Sequence, residues 1–231
     1  RSSGIHRFSG LFKSKAAAAR IAEGWDTCAL VTIAENTDGT WTLILNFGEG
    51  CVDGEKFIKG VVAFTGSETD TSGVFRIAFD KFSEHLVNQG EEKDPATLSG
   101  FYNGIWAINP TDVFSYGEGF ETALEVNFKS GAKINLAAKG ELAGNQTGFV
   151  VNKYDFVASN SAQDVLSGTV VHPLLFNFTC ENTRIFTQGT EAFQVNGEGV
   201  VVDYGQGVCD NILTIAQDGI TIIVDLDKVD S

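Results

Sequence analysis

The chain of 231 residues carries 16 Lys and Arg against 30 Asp and Glu, a net charge of −14, with 43% hydrophobic residues, 18 Phe and three Pro. A chain of this length buries a substantial core, while so acidic a surface repels phosphate backbones and anionic lipid heads, so neither nucleic acid nor electrostatic membrane docking is expected. No apolar run reaches the roughly 18 residues that a membrane-spanning helix needs.

The first predicted element is a helix over 12–23, built on Ala16-Ala17-Ala18-Ala19-Arg20-Ile21-Ala22, with Gly24 as its stop. Its apolar positions, Leu11, Phe12, Ala16, Ala19 and Ile21, form too weak a stripe for a membrane anchor. Residues 1–26 therefore read as an N-terminal arm with one short helix, and the start Arg1-Ser2-Ser3-Gly4 suits a mature or trimmed secreted product.

From Thr27 onward the apolar residues alternate. Phe75, Ile77 and Phe79 are interleaved with Arg76, Ala78 and Asp80, and Thr122, Leu124, Val126 and Phe128 with Glu121, Ala123, Glu125 and Asn127. Ile134, Leu136 and Ala138 follow, and a strand over 220–226 closes the pattern. One apolar and one wet face per run is the signature of half-buried antiparallel strands. Turn signals punctuate them: Asn36-Thr37-Asp38-Gly39, Ser130-Gly131, Ala143-Gly144-Asn145, Asn196-Gly197 and Asp218-Gly219. The expected fold is all-β, an antiparallel meander of roughly fourteen to sixteen strands forming a rolled sheet or β-sandwich. The polar stretch 88–95 reads as a long exposed turn rather than a linker, which makes 27–231 a single β domain.

Four cysteines sit at strand ends or in Gly-rich loops, in two similar settings. Cys28 precedes a hairpin that leads to Asn46-Phe47-Gly48-Glu49-Gly50-Cys51, and Cys180 precedes one that leads to Asp203-Tyr204-Gly205-Gln206-Gly207-Val208-Cys209. With Asn36–Gly39 as the first turn, paired residue numbers sum to about 75 and Cys28 faces Phe47, with Cys51 folding back into reach. A turn near Val195–Gly197 gives a sum near 391 and sets Cys180 opposite Asn211, two residues from Cys209. Local disulfides, Cys28 with Cys51 and Cys180 with Cys209, are favoured over the two other connectivities, over free thiols and over a metal site. They imply an oxidising, extracytoplasmic compartment.

Motifs for chemistry are sparse. The triplets Gly48-Glu49-Gly50, Gly117-Glu118-Gly119, Gly197-Glu198-Gly199 and Gly205-Gln206-Gly207 lack the following helix of a dinucleotide loop and read as tight turns or bulges. His6, His85 and His172 are scattered, no Gly-x-Ser-x-Gly occurs, and Asp38, Asp53 and Asp210 fall in turns that lack a calcium-loop pattern. No catalytic residue, metal site or cofactor is expected. Trp41 and Trp106 are candidate ligand-stacking residues, and Trp25 is a weaker one, although strand packing accounts for each.

The run Cys28-Ala-Leu-Val-Thr-Ile, then Trp41-Thr-Leu-Ile-Leu-Asn-Phe-Gly, Cys51, Asp53-Gly54 and Lys59-Gly60-Val61-Val62-Ala63-Phe64-Thr65-Gly66 resembles a family of uncharacterised secreted or cell-envelope lipoproteins frequent in Bacteroidota. So does the ending from Cys180 through Gly189, Val202-Asp203-Tyr204-Gly205-Gln206-Gly207-Val208-Cys209-Asp210-Asn211 and the final strand; the likeness spans about 27–227. It implies an all-β body with no assigned activity and no catalytic residues to carry over. The lipidated N-terminal Cys of that family has no counterpart here.

The leading expectation is a non-enzymatic secreted or cell-envelope protein, structural, adhesive or accessory, with a protein partner or self-assembly through a sheet edge. A carbohydrate-binding or carbohydrate-processing module is the alternative, and a carrier of an apolar ligand a further one.

Overall fold

The computed structural model describes residues 28–54, 56–69, 71–86, 96–109, 112–180 and 185–228. Within them run thirteen strands: β1 (Leu30–Glu35), β2 (Trp41–Asp53), β3 (Lys56–Glu68), β4 (Ser72–Leu86), β5 (Thr97–Asn109), β6 (Asp112–Asn127), β7 (Lys133–Asn145), β8 (Gly148–Asn160), β9 (Val165–Asn177), β10 (Gln188–Val195), β11 (Glu198–Gln206), β12 (Ile212–Gln217) and β13 (Ile220–Asp225). They form one antiparallel sheet in sequence order. The expected helix, the polar stretch 88–95, His6 and Trp25 lie outside the described residues.

Among the described residues thirteen strands stand against the fourteen to sixteen expected of the chain, and two of the glycine triplets lie inside long strands. Gly48-Glu49-Gly50 falls within β2, where the register against β3 shifts twice, and Gly117-Glu118-Gly119 falls within β6. A bulge accommodates the extra residues and bends the strand without ending it.

The chain packs into two compact units, one of residues 1–106 and 122–135, the other of 107–121 and 136–231. The division passes through β5, β6 and β7 rather than through a connecting segment, so no linker composition marks it.

In the first unit, alternation in β2 turns Trp41, Leu43, Leu45 and Phe47 to one face, where they meet Ile58, Val62 and Phe64 of β3 and Ile77 of β4. Phe75, Phe79, Phe82 and Tyr102 pack at the margin of this core. The opposite face is wet, with Thr42 and Thr65 side by side across the strands and Asn36 donating to Thr42. The first hairpin closes over Asn36–Thr40, and its pairs sum to 76 rather than 75. The cause is a three-residue loop, Thr37-Asp38-Gly39, in which Gly39 adopts φ +80° and Asp38 accepts from the Thr40 amide.

The second unit holds few fully buried apolar side chains, Leu174 and Ala138 among them. Aromatic rings laid over cross-strand glycines supply much of its packing. A Cβ at Gly168 would collide with Phe156, and one at Gly140 would come within 2.7 Å of Phe120. The same device serves Gly73 of the first unit, where a Cβ would lie 2.6 Å from the Trp106 indole nitrogen. Each ring recovers contact area on a strand that glycine alone would leave bare.

The hairpin of β10 and β11 turns on Asn196-Gly197, both with positive φ, and its pairs sum to 393, from Val195 with Glu198 onward. Two residues make this turn, not three, which displaces the register from the expected 391. Cys180 does not face Asn211 across a ladder. It lies in the turn after β9, its amide donating to the Asn177 carbonyl, and Cys209 lies between β11 and β12.

Candidate functional site

Both disulfides are formed. Cys28 joins Cys51 with Cα atoms 5.5 Å apart, and Cys180 joins Cys209 at 5.3 Å. In the first unit the bulges of β2 bring Cys51 opposite Ile58 at the margin of the core. In the second, Thr187 clamps the neighbouring chain: its amide donates to the Leu175 carbonyl and its own carbonyl accepts from Gly207. Two such bonds indicate an oxidising, extracytoplasmic environment.

Trp41 is 6% exposed and packs its ring over Gly66 in the core, so it presents no face for stacking a ligand. Trp106 is half-buried over Gly73. Each of the two rings lies over a cross-strand glycine. His85 lies against the Phe57 ring at 5.1 Å, and His172 is exposed opposite Thr190. Ser83 Oγ and His85 Nδ1 are buried without a hydrogen-bond partner, so this serine is not hydrogen-bonded to the histidine as an activated nucleophile would be. Among the described residues no group of three or more His, Cys, Asp and Glu is placed to hold a metal ion, and no helix is long and apolar enough to cross a membrane.

What the molecule offers instead lies on β8–β13. Registered pairs place Phe156, Gly168, Phe193 and Val200 in one cross-strand row, and Val170, Glu191, Val202, Ile215 and Ile222 in the next. These positions share one face of the sheet, since successive pairs alternate sides. Yet across residues 185–228 only Thr187, Gly189 and Asn211 are buried. The apolar face is half-exposed, and exposure rises toward the last strand: Ile220 is 69%, Ile222 52% and Ile223 76% exposed.

Ile223 belongs to the opposite face from Ile220 and Ile222, so β13 shows isoleucine on both. Among the described residues it pairs with β12 alone, leaving its outer amides and carbonyls as a free edge. One open depression, of about 180 Å³, adjoins it, lined by Ile215, Gln217, Asp218, Ile220 and Ile222. Another, of about 300 Å³, lies over β10–β12 and the turn before β13, lined by residues that include Phe193, Val201 and Ala216. An edge with an adjacent apolar hollow is what an added strand requires: main-chain bonds for affinity and seats for alternate side chains. Sequence reading places a strand here but cannot show that nothing covers it.

Glu191 lies within this apolar face, paired with Val170 and Val202. Tyr204 donates to its Oε2 at 2.8 Å, and Phe186 packs edge-on against the Tyr204 ring at 5.4 Å. Burial and then this carboxylate hold the Tyr204 phenol far above its ordinary range. Burial likewise raises Tyr154, with Glu191 adding to it. Because the folded value lies above the unfolded one, the stabilisation is complete below about pH 10 and is lost as pH rises past it. In a spectrophotometric alkaline titration of the four tyrosines, Tyr204 should ionise last, and Glu191→Gln should bring Tyr204 and Tyr154 down. An unchanged titration in that variant would refute the coupling.

No family model, curated protein or solved structure matches this chain.

Proposed function

We propose that this is a non-enzymatic protein of the cell envelope or extracellular space that binds a protein partner by accepting a β-strand at β13. The observation that carries the reading is the free edge of β13 with isoleucines exposed on both faces. Soluble proteins blunt such edges with Lys, Pro or bulges, and β13 from Ile220 to Val224 has none of these. The likeness of the two cysteine-bearing ends to envelope lipoproteins supports the same reading, as does the oxidising environment.

The test is direct. A synthetic strand alternating Val and Thr, with Lys at its ends, is titrated into the protein and followed by fluorescence anisotropy. Ile223→Lys, which places a charge on the edge, should weaken binding by about tenfold or more. Equal affinity in that variant would sink the reading. A carbohydrate role has one supporting feature, the half-buried Tyr154 and Tyr204 beside Glu191. Glycoside turnover abolished by Glu191→Gln, with the fold intact, would establish that role in place of the proposed one.

A further inference from the structure

Charge is distributed very unevenly along the chain. Residues 1–22 contain five Lys and Arg together with His6 and no Asp or Glu, whereas residues 185–227, which comprise β10–β13, contain seven Asp and Glu and no Lys or Arg. The basic stretch also carries Ile5, Phe8, Leu11 and Phe12. In an extended backbone Phe8, Gly10 and Phe12 fall on one face, with Lys13, Lys15 and Arg20 following. The acidic stretch ends in the uncapped, isoleucine-lined edge of β13, with Asp218 at one end and, at the other, Asp227 and Asp225, the latter ion-paired with Lys228 just beyond the stretch. Strand addition draws affinity from main-chain bonds and register from seated side chains, while charge selects the partner.

We infer that β13 accepts the N-terminal segment of a second copy of this chain, residues 5–12 adding as a strand and the basic residues beyond them pairing with the acidic last strands. This rests on the edge-binding reading and names its partner. The segment precedes β1, the first strand of the order, and the acceptor is β13, the last. Donor and acceptor are different surfaces, so the contact is head-to-tail and builds open chains rather than closed pairs.

The experiment uses the whole protein, in analytical ultracentrifugation at low and high salt. Wild type should form concentration-dependent oligomers whose affinity falls at least tenfold at high salt, as screened charge pairs do. Two variants separate the surfaces: the triple change Arg7→Glu, Lys13→Glu and Lys15→Glu disables the donor, and Ile222→Pro disables the acceptor, with Ile223→Lys standing in should the proline disturb folding. Each alone should be monomeric, and the two mixed should give a heterodimer that grows no further. A monomeric wild type, or oligomers lost with the β13 change but indifferent to the arm charges, would overturn the inference. The latter result would assign β13 to edge-to-edge pairing. A monomeric wild type that still binds the synthetic strand at β13 would defeat this inference and leave the edge-binding function standing; loss of both would defeat the two together.

Discussion

Reduction of the two disulfides is expected to lower the stability of the folded chain by about 6 kcal/mol, about 3 kcal/mol for each closed loop in the chain-entropy model. The loops span 23 and 29 residues, so their contributions are similar. The consequences differ by unit. Around Cys28–Cys51 a core of buried aliphatic and aromatic side chains persists after reduction. Around Cys180–Cys209 few apolar side chains are fully buried, and the bond ties the end of β9 to the chain that leads into β12. Because a whole domain is commonly stable by only about 5–15 kcal/mol, the C-terminal strands should open first. Hydrogen exchange on the Cys180→Ala, Cys209→Ala double variant should show loss of protection over β10–β12 with β2–β4 still protected. Uniform protection, or a reduced protein with the oxidised unfolding midpoint, would contradict this account.

The second large effect is expected at Leu43. Its side chain is 0% exposed, on the face of β2 that also buries Trp41, Leu45 and Phe47. Truncation to Ala removes the transfer free energy of the lost carbons and leaves a cavity that close-packed neighbours only partly fill, for a loss of about 3 kcal/mol. Ile223→Ala, at 76% exposure, should change stability by about 0.5 kcal/mol or less while still weakening strand binding. Denaturant unfolding of the two variants side by side distinguishes them. Equal losses would mean that β13 is covered in solution and that its edge is not free.

The sequence is legible where the physics is local. Alternation with a period of two names the strands, because a strand residue's side follows from parity alone. The alternation of Phe75, Ile77 and Phe79 in β4, with Ile77 buried and Arg76 and Asp80 exposed, follows from it. Disulfide partners were legible for a related reason: each pair is separated by a hairpin's length, so any nearby register brings the sulfurs within reach. The register itself was not. One residue more or fewer in a turn shifts every pair, and the loops at Gly39 and at Asn196-Gly197 differ in just that way.

Other features exist only in three dimensions. Glycine triplets look alike in sequence whether they reverse the chain or bulge a strand, and the partner strand decides which, as at Gly48-Glu49-Gly50 against β3. Tryptophan near apolar residues suits a stacking platform or a core, and only packing over Gly66 commits Trp41 to the core. The exposed isoleucines of β13 read in sequence as an ordinary half-buried strand, since the pattern records which residues resemble one another and not whether a neighbour lies beyond them. Composition and parity therefore determined the class of fold, the strands and the cross-links. Which apolar surface lies covered and which lies open was decided by the tertiary structure, because burial is a property of what packs against a side chain.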